Sequence, residues 1–258
     1  MNLRSYALLA LFACAIALCN LGCVRSNDSV VQASRSVGEW RTLVDGQSFE
    51  GWQAQDPSRS HDWQTAQSVS IDPSDKKEFA IEPGTGLFVN VKNDKSGKTQ
   101  NMVSEELFGD VETHVEFVIP HDSNSGVFLM GLYEVQVEDS FGKTDLKFSD
   151  CGGFYARKVE GEWIGGTPPL VNACTAPGNW QTFDVKFRAP RFDAAGNKTE
   201  NARFLEVRHN GVVIHKDLEM LGPNSAHMDI PEAPQGPLML QGDHGPVAYR
   251  NVRIKPLD

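Results

Sequence analysis

Residues 111–119 read VETHVEFVI, and this stretch decides the fold class. Valine, threonine, phenylalanine and isoleucine fill every second position, and glutamate or histidine fills most of those between. Such a period of two is typical of a β-strand with one buried face, because successive side chains of a strand point to opposite sides. The same alternation recurs at 133–139 (YEVQVED) and 183–188 (FDVKFR). The segment 127–132 (VFLMGL) is almost wholly apolar and suits a strand covered on both faces.

Turn signals separate the predicted strands. Asn210-Gly211 lies between the strand-like segments 204–208 and 212–215, and Asn-Gly is the strongest short hairpin signal. With at least eight strands, no internal repeat and no alternation of strands with helices, the sequence predicts one all-β domain over residues 40–258. We expect an antiparallel β-sandwich or jelly roll. Short helices are predicted only around residues 104–108 and 216–221.

The amino-acid composition limits the kinds of molecule that the protein is expected to bind. The chain has 258 residues, with 24 Lys and Arg against 34 Asp and Glu, and a net charge of −10. No run of four basic residues occurs, which argues against a nucleic-acid-binding protein. An apolar content of 40%, with 23 Gly and 14 Pro, excludes disorder for most of the chain and favours a turn-rich fold.

The first 22 residues predict an export signal. Their apolar core, residues 7–18, is too short to span a bilayer and has the length of a signal-peptide core. Leu21-Gly22-Cys23 resembles the end of a bacterial lipoprotein signal, which predicts removal of residues 1–22 and a lipid on Cys23. Cleavage near residues 31–33 is the alternative and would release a soluble protein. Either way we expect export, to the bacterial periplasm or as a lipoprotein whose only membrane contact is its lipid anchor.

The next segment and the cysteines agree with export. Residues 23–39 are polar and lack periodicity, so they are predicted to be a tether. Three of the five cysteines lie in the first 23 residues, and the domain keeps Cys151 and Cys174. In an oxidising compartment these two can form a disulfide, which would contribute about 3 kcal/mol in the chain-entropy model. Two free buried thiols are the alternative. Neither cysteine has a second Cys or a His at ligand spacing, which argues against a metal site.

A polar row follows the apolar run. Glu134, Gln136 and Glu138 share one face of their predicted strand and would form a polar floor on the sheet. Adjacent hydrogen-bonding side chains suit a sugar, and an ordinary solvated face is the alternative. The row also resembles the Glu-x-Asp-x-Glu strand of retaining β-glucanases, whose two glutamates are nucleophile and acid/base. Here Gln136 replaces the Asp, and positions i and i+4 lie about 13 Å apart, whereas retaining chemistry needs carboxyl groups about 5–5.5 Å apart.

A second unusual stretch is residues 236–246, GPLMLQGDHGP. Glycine on both sides of Asp243-His244 allows a tight loop that presents both side chains at the rim of the sheet. An Asp beside a His can fix the imidazole tautomer or raise its basicity. The alternative is a turn in which Asp243 caps its own backbone.

Taken in order, these segments resemble the 3-keto-disaccharide hydrolase family, a concanavalin A-like jelly roll. The resemblance spans about residues 40–257. The matching stretches are 43–46, 51–52, 124–129, 133–140, 153–155, 176–180, 210–211, 236–241, 244–245 and 250–254. This chain departs from the family at Met130, where Arg is common, and at Asn179 and Gln181, where Glu and Asn are common.

The resemblance implies cleavage of 3-keto-disaccharides or 3-keto-glycosides. A carbonyl at C3 acidifies the hydrogen at C2, so a base can remove it, and the enolate then expels the C1 oxygen before water adds. This route needs a base, an enolate stabiliser and an acid. At the matching positions we expect Glu134 or His244 as base and Arg250 as stabiliser. Asp139 or Asp243 would be the acid or would orient it.

Further residues at the matching positions are expected to contact the sugar: Asn124, Gln136, Glu138, Gln241 and Asp243. A divalent cation could replace Arg250 as stabiliser, and the sequence indicates no other cofactor. Because a fold does not fix a function, two other classes stay open. They are a lectin-like module without catalysis and a retaining β-glucanase-type hydrolase.

Overall fold

The computed structural model describes residues 38–91 and 100–257. The predicted signal peptide, the lipid on Cys23 and most of the predicted tether lie outside these residues and stay predictions. The described residues contain no helix that is long and apolar enough to cross a membrane.

The described residues form strands and turns. The strands are β1 (Arg41–Val44), β2 (Trp52–Ala54), β3 (Trp63–Ile71), β4 (Phe79–Asn90), β5 (Met102–Phe108), β6 (Val111–Val118), β7 (Asn124–Leu129), β8 (Tyr133–Glu138), β9 (Arg157–Val159), β10 (Glu162–Ile164), β11 (Gln181–Arg188), β12 (Arg191–Phe192), β13 (Lys198–Glu200), β14 (Ala202–His209), β15 (Val212–Met220), β16 (Gly236–Leu240) and β17 (Val247–Pro256).

Two antiparallel sheets account for most of these strands. The larger has the order β15-β14-β11-β6-β17-β4-β3, with β1 also paired to β17, and the smaller has the order β2-β5-β16-β7-β8. The predicted all-β, concanavalin A-like sandwich is confirmed. The two predicted short helices are wrong, because 104–108 lies in β5 and 216–220 in β15. Pairing with β2 and β16, and with β14, outweighs the local helical preference of those segments.

The core lies between the sheets and follows the alternation in the sequence. On β6, Val111, Thr113, Val115 and Phe117 are buried, whereas the glutamate and histidine side chains between them are only partly buried. On the neighbouring strand β11, Phe183 and Phe187 pair with Val115 and Val111 and are buried on the same face of the sheet. Burial of a large apolar side chain contributes about 1.5–3 kcal/mol, so these strands stabilise the sandwich strongly.

The β7–β8 hairpin sets the register of the polar row. The apolar run 127–132 is interrupted by a tight turn at Met130 and Gly131, whose φ angles are 59° and 67°. Positive φ at both central residues matches the right-handed twist of a hairpin. The turn pairs Gly126 with Gln136 and Phe128 with Glu134. Met130, where the family commonly has Arg, is therefore a buried turn residue.

Candidate active site

The polar row on β8 lies under covering loops. Glu134 and Gln136 are each only 3% exposed, so they do not form an ordinary solvated face. The Gly152 amide donates to the Gln136 carbonyl at 2.7 Å, and the Gln136 amide donates to the Gly153 carbonyl at 3.1 Å. The Asn224 side chain accepts from the Glu134 amide at 2.8 Å and donates to the Tyr155 carbonyl at 2.7 Å.

A cavity of about 200 Å³ opens above this floor. It is lined by Asn124, Glu134, Gln136, Tyr155, Trp163, Ser225, Ala226, Gln241 and His244. Five of the residues predicted from the sequence thus meet in one place: Asn124, Glu134, Gln136, Gln241 and His244. They come from β7, from β8 and from the loop after β16, which the sheet order β16-β7-β8 makes neighbours.

The Glu134 carboxyl lies over the backbone of the neighbouring strand. A Cβ placed on Gly126 would stand 2.2 Å from Glu134 Oε1, so the absence of a side chain at Gly126 makes room for the carboxyl. Burial, and to a lesser extent the charge of Asp243, raises the pKa of Glu134 well above 4.5. A carboxyl with a raised pKa holds its proton more tightly and is a stronger base once it is ionised.

This raised pKa makes a prediction about stability. The folded state holds the Glu134 proton more tightly than the unfolded state, so ionisation costs stability as pH rises from about 4.5 to the folded-state pKa. We expect Glu134→Gln, which removes that ionisation, to have a higher melting temperature than the parent at neutral pH and little advantage below pH 4.5. Thermal denaturation across this pH range tests it, with exposed Glu105→Gln as the control. A melting temperature lowered at neutral pH would contradict the prediction.

The loop at 242–245 brings the Asp-His pair to the rim. His244 Nδ1 lies 2.6 Å from Asp243 Oδ1, and both side chains are partly exposed. The Asn90 side chain donates to the Gly242 and Gly245 carbonyls at 2.7 and 3.0 Å, which fixes the loop. A carboxylate accepting from Nδ1 leaves Nε2 as the basic nitrogen of the neutral ring.

Gln241 contributes a buried acceptor. Its side chain is 2% exposed, and its Oε1 has no hydrogen-bond partner among the described residues. A buried polar atom without a partner costs about 1–3 kcal/mol. A ligand hydroxyl that donates to this oxygen would recover that free energy, so the cavity is suited to a polyhydroxylated molecule.

Arg250 does not line the cavity with the other predicted site residues. Its Nε donates to Glu116 Oε2 at 2.7 Å, and its guanidinium lies 4.0 Å from the centre of the Trp180 ring. The preceding residue, Tyr249, is buried between the sheets with its hydroxyl 2.8 Å from Ser125 Oγ. Since successive side chains of β17 point to opposite faces, Arg250 lies on the outer face of the larger sheet.

Asp139 and Glu138 lie beside the cavity but do not line it. Asp139 Oδ2 accepts from the Asp122 amide at 3.0 Å, so this carboxylate caps a turn. Glu138 Oε2 accepts from Asn124 Nδ2 at 2.7 Å and holds the side chain of a cavity residue. Asp243, which contacts His244, is better placed than Asp139 to orient a catalytic group.

Four lining residues were missed from the sequence: Tyr155, Trp163, Ser225 and Ala226. Trp163 is 55% exposed and lies on β10, with its ring 5.9 Å from that of Tyr155 in an edge-to-face contact. A tryptophan in a short segment rich in glycine, GEWIGG at 161–166, was the available signal. Aromatic rings with one apolar face and a polar edge suit sugar rings.

A group of possible metal ligands lies away from the cavity. Among the described residues, one group of three metal-ligating side chains has its ligand atoms within 4.8 Å of one another: Cys151, Cys174 and His209. None of the three lines the cavity. Cys151 and Cys174 are free thiols that hydrogen-bond to each other, and their disulfide stays a prediction.

The fold and the family define a carbohydrate-active β-sandwich protein. The chain belongs to the family described as the 3-keto-alpha-glucoside-1,2-lyase-like domain, whose model matches residues 39–255. Two crystal structures from Parabacteroides distasonis, of proteins provisionally named glycosyl hydrolases, share the fold. One has a TM-score of 0.60 at 24% identity and covers 84% of both chains. The other has a TM-score of 0.55 at 17% identity and covers 86% of this chain and 94% of its own. No curated protein matched the chain.

Proposed function

We propose that this domain cleaves 3-keto-glycosides by elimination across C1 and C2, followed by addition of water. The observation that carries the proposal is a buried carboxyl, Glu134, facing the same cavity as His244. The family description, which names a 3-keto-alpha-glucoside-1,2-lyase, supports elimination across C1 and C2 as the first stage.

Glu134 is the base. A carboxylate can remove a hydrogen at C2 beside a C3 carbonyl, and the raised pKa of Glu134 makes it a stronger base for this step. Burial, the main cause of the raised pKa of Glu134, also removes water that would compete for the proton. Loss of the C2 proton leaves an enolate, with the negative charge on the C3 oxygen.

Neutral amides stabilise this enolate in place of Arg250. Asn124, Gln136 and Gln241 line the cavity around Glu134 and can donate to the C3 oxygen or to the hydroxyls beside it. Fixed donors in a site that excludes water are effective because they need no reorganisation as charge develops.

His244 completes the reaction from the rim. The enolate re-forms its carbonyl and expels the C1 oxygen, which takes a proton from the imidazolium. The neutral His244, oriented by Asp243 at 2.6 Å, then removes a proton from the water that adds to C1 of the enone. The C2 position regains its proton from Glu134, so both groups return to their starting states.

The test is turnover of 3-keto-trehalose or 3-keto-sucrose against the unoxidised sugars, with C2 deuterium exchange followed in parallel. We expect cleavage and exchange with the keto sugars alone. Binding of either sugar without turnover would favour a lectin-like module. Cleavage of unoxidised β-glucans that is lost in Glu138→Gln would favour the retaining β-glucanase-type hydrolase.

A further inference from the structure

Two cysteines and a histidine from distant parts of the chain lie close together in the folded domain. Cys151 lies after β8, Cys174 lies before β11, and His209 ends β14. Their two sulphurs and one His209 ring nitrogen lie within 4.8 Å of one another. Cys151 is 3% exposed and His209 is fully buried, whereas Cys174 is partly buried, so the cluster lies at the edge of the interior.

The hydrogen bonds of Gln181 fix the tautomer of His209. Gln181 Oε1 accepts from the Thr175 amide at 3.0 Å, which identifies that atom as the oxygen. His209 Nε2, 2.9 Å from the same oxygen, must therefore carry the proton. His209 Nδ1 then carries a lone pair, and it has no hydrogen-bond partner among the described residues.

Backbone amides hold both sulphurs in place. The Glu138 amide hydrogen-bonds to the sulphur of Cys151, and the Ser140 amide to that of Cys174. The Cys174 amide donates to Asn172 Oδ1 at 3.0 Å, which holds this segment in place.

We propose that Cys151, Cys174 and His209 Nδ1 bind one Zn²⁺ ion. On binding, each thiol loses its proton, so two protons leave and the ion with its two thiolates is neutral, which suits a buried site. Two sulphurs and an imidazole nitrogen are a donor set that Zn²⁺ prefers, with bonds of about 2.0–2.3 Å and water as the usual fourth ligand. The absence of local ligand spacing does not exclude such a site, because the three ligands come from separate segments.

This ion would brace the floor of the cavity. The Cys151 segment pairs with Gln136 through the Gly152 amide at 2.7 Å and the Gly153 carbonyl at 3.1 Å. Zinc at Cys151 would tie this segment to the end of β14 in the larger sheet. The inference is independent of the reaction proposed above, since none of the three ligands lines the cavity.

The experiment uses the full-length chain with Cys14, Cys19 and Cys23 replaced by serine, which leaves two thiols. The reduced protein is loaded with Zn²⁺, dialysed and analysed for metal, and Co²⁺ is titrated as a spectroscopic probe. We expect one zinc per chain, protection of both thiols from a thiol reagent, and thiolate-to-cobalt charge-transfer bands. We also expect a higher melting temperature with zinc than after chelation.

Ligand variants locate the ion. We expect Cys174→Ser and His209→Gln each to weaken zinc binding by at least about 10²-fold, since losing even an outer-sphere contact costs about 10–100-fold. Glutamine keeps a donor to Gln181 but removes the Nδ1 lone pair. His215→Gln, at a buried histidine outside the cluster, is the matched control and should retain zinc.

Several results would overturn the proposal. If the variants fail to fold, the measurements on the parent protein still test it. Reduced parent protein that retains no zinc, or that binds cobalt without thiolate bands, would refute it. Full zinc affinity in Cys174→Ser would do the same. Protein isolated from its host with a Cys151–Cys174 disulfide and no zinc would establish the disulfide instead.

Discussion

Glu134→Gln is expected to lower kcat on a 3-keto-disaccharide by about 10²–10⁴-fold, the usual contribution of a general base, with a smaller effect on KM. The amide fills the same space beside Gly126 but cannot take up the C2 proton. We expect C2 deuterium exchange to fall in parallel, because exchange needs only the first step. Since this variant should also be more stable at neutral pH, its loss of activity could not be attributed to unfolding.

Two comparisons make this expectation specific to the base. Glu138→Gln alters a neighbouring carboxyl that holds Asn124 but does not line the cavity, so it should retain C2 exchange. His244→Ala should slow cleavage of the natural glycoside yet spare an activated aryl 3-keto-glycoside, whose leaving group needs no acid. Glu134→Gln should be slow on both. Exchange at the parent rate in Glu134→Gln would show that another group is the base.

The pH dependence of kcat/KM also distinguishes the role of Glu134 from that of His244. Glu134 must be ionised to act, and its pKa is raised by burial, so kcat/KM should rise with pH through a midpoint above 4.5. Replacing His244 should leave this acidic limb in place. An acidic limb at or below pH 4.5 would contradict the raised pKa of the free enzyme's base.

The period-two pattern predicted the sheets and the polar row, because alternation is a local property of the chain. It predicted the position of Glu134 and Gln136 but not their burial, since the covering segments around Gly152 and Asn224 are distant in sequence. Trp163 reaches the cavity from a three-residue strand in a long irregular connection, where no periodicity marks it.

Arg250 shows that a family pattern and the alternation of side chains along a strand can point to different places. The family pattern indicated Arg250 as a site residue. Because Tyr249 is buried between the sheets, the next side chain of β17, Arg250, points to the outer face. The cysteine–histidine cluster, in contrast, is a feature that no sequence pattern indicated. No spacing rule can bring Cys151, Cys174 and His209 together, because the tertiary structure alone determines their proximity.

Gly126→Ala is expected to reduce kcat by about 10²-fold although residue 126 carries no functional group. The added methyl would lie 2.2 Å from Glu134 Oε1 and 3.0 Å from a Phe128 ring carbon, so the carboxyl must move. A displacement of about 1 Å at a reacting group can cost about 10²-fold in rate.

A double-mutant cycle with Glu134→Gln distinguishes this displacement from general damage to β7. If Gly126→Ala acts only by moving the base, it should cause no further loss of rate when the base is already absent, so the two effects should not add. Glu134→Asp in the Gly126→Ala background should recover part of the melting temperature, because the shorter side chain withdraws from the new methyl. Full activity in Gly126→Ala, or losses that multiply in the double variant, would mean that the position of the Glu134 carboxyl over Gly126 does not limit the reaction.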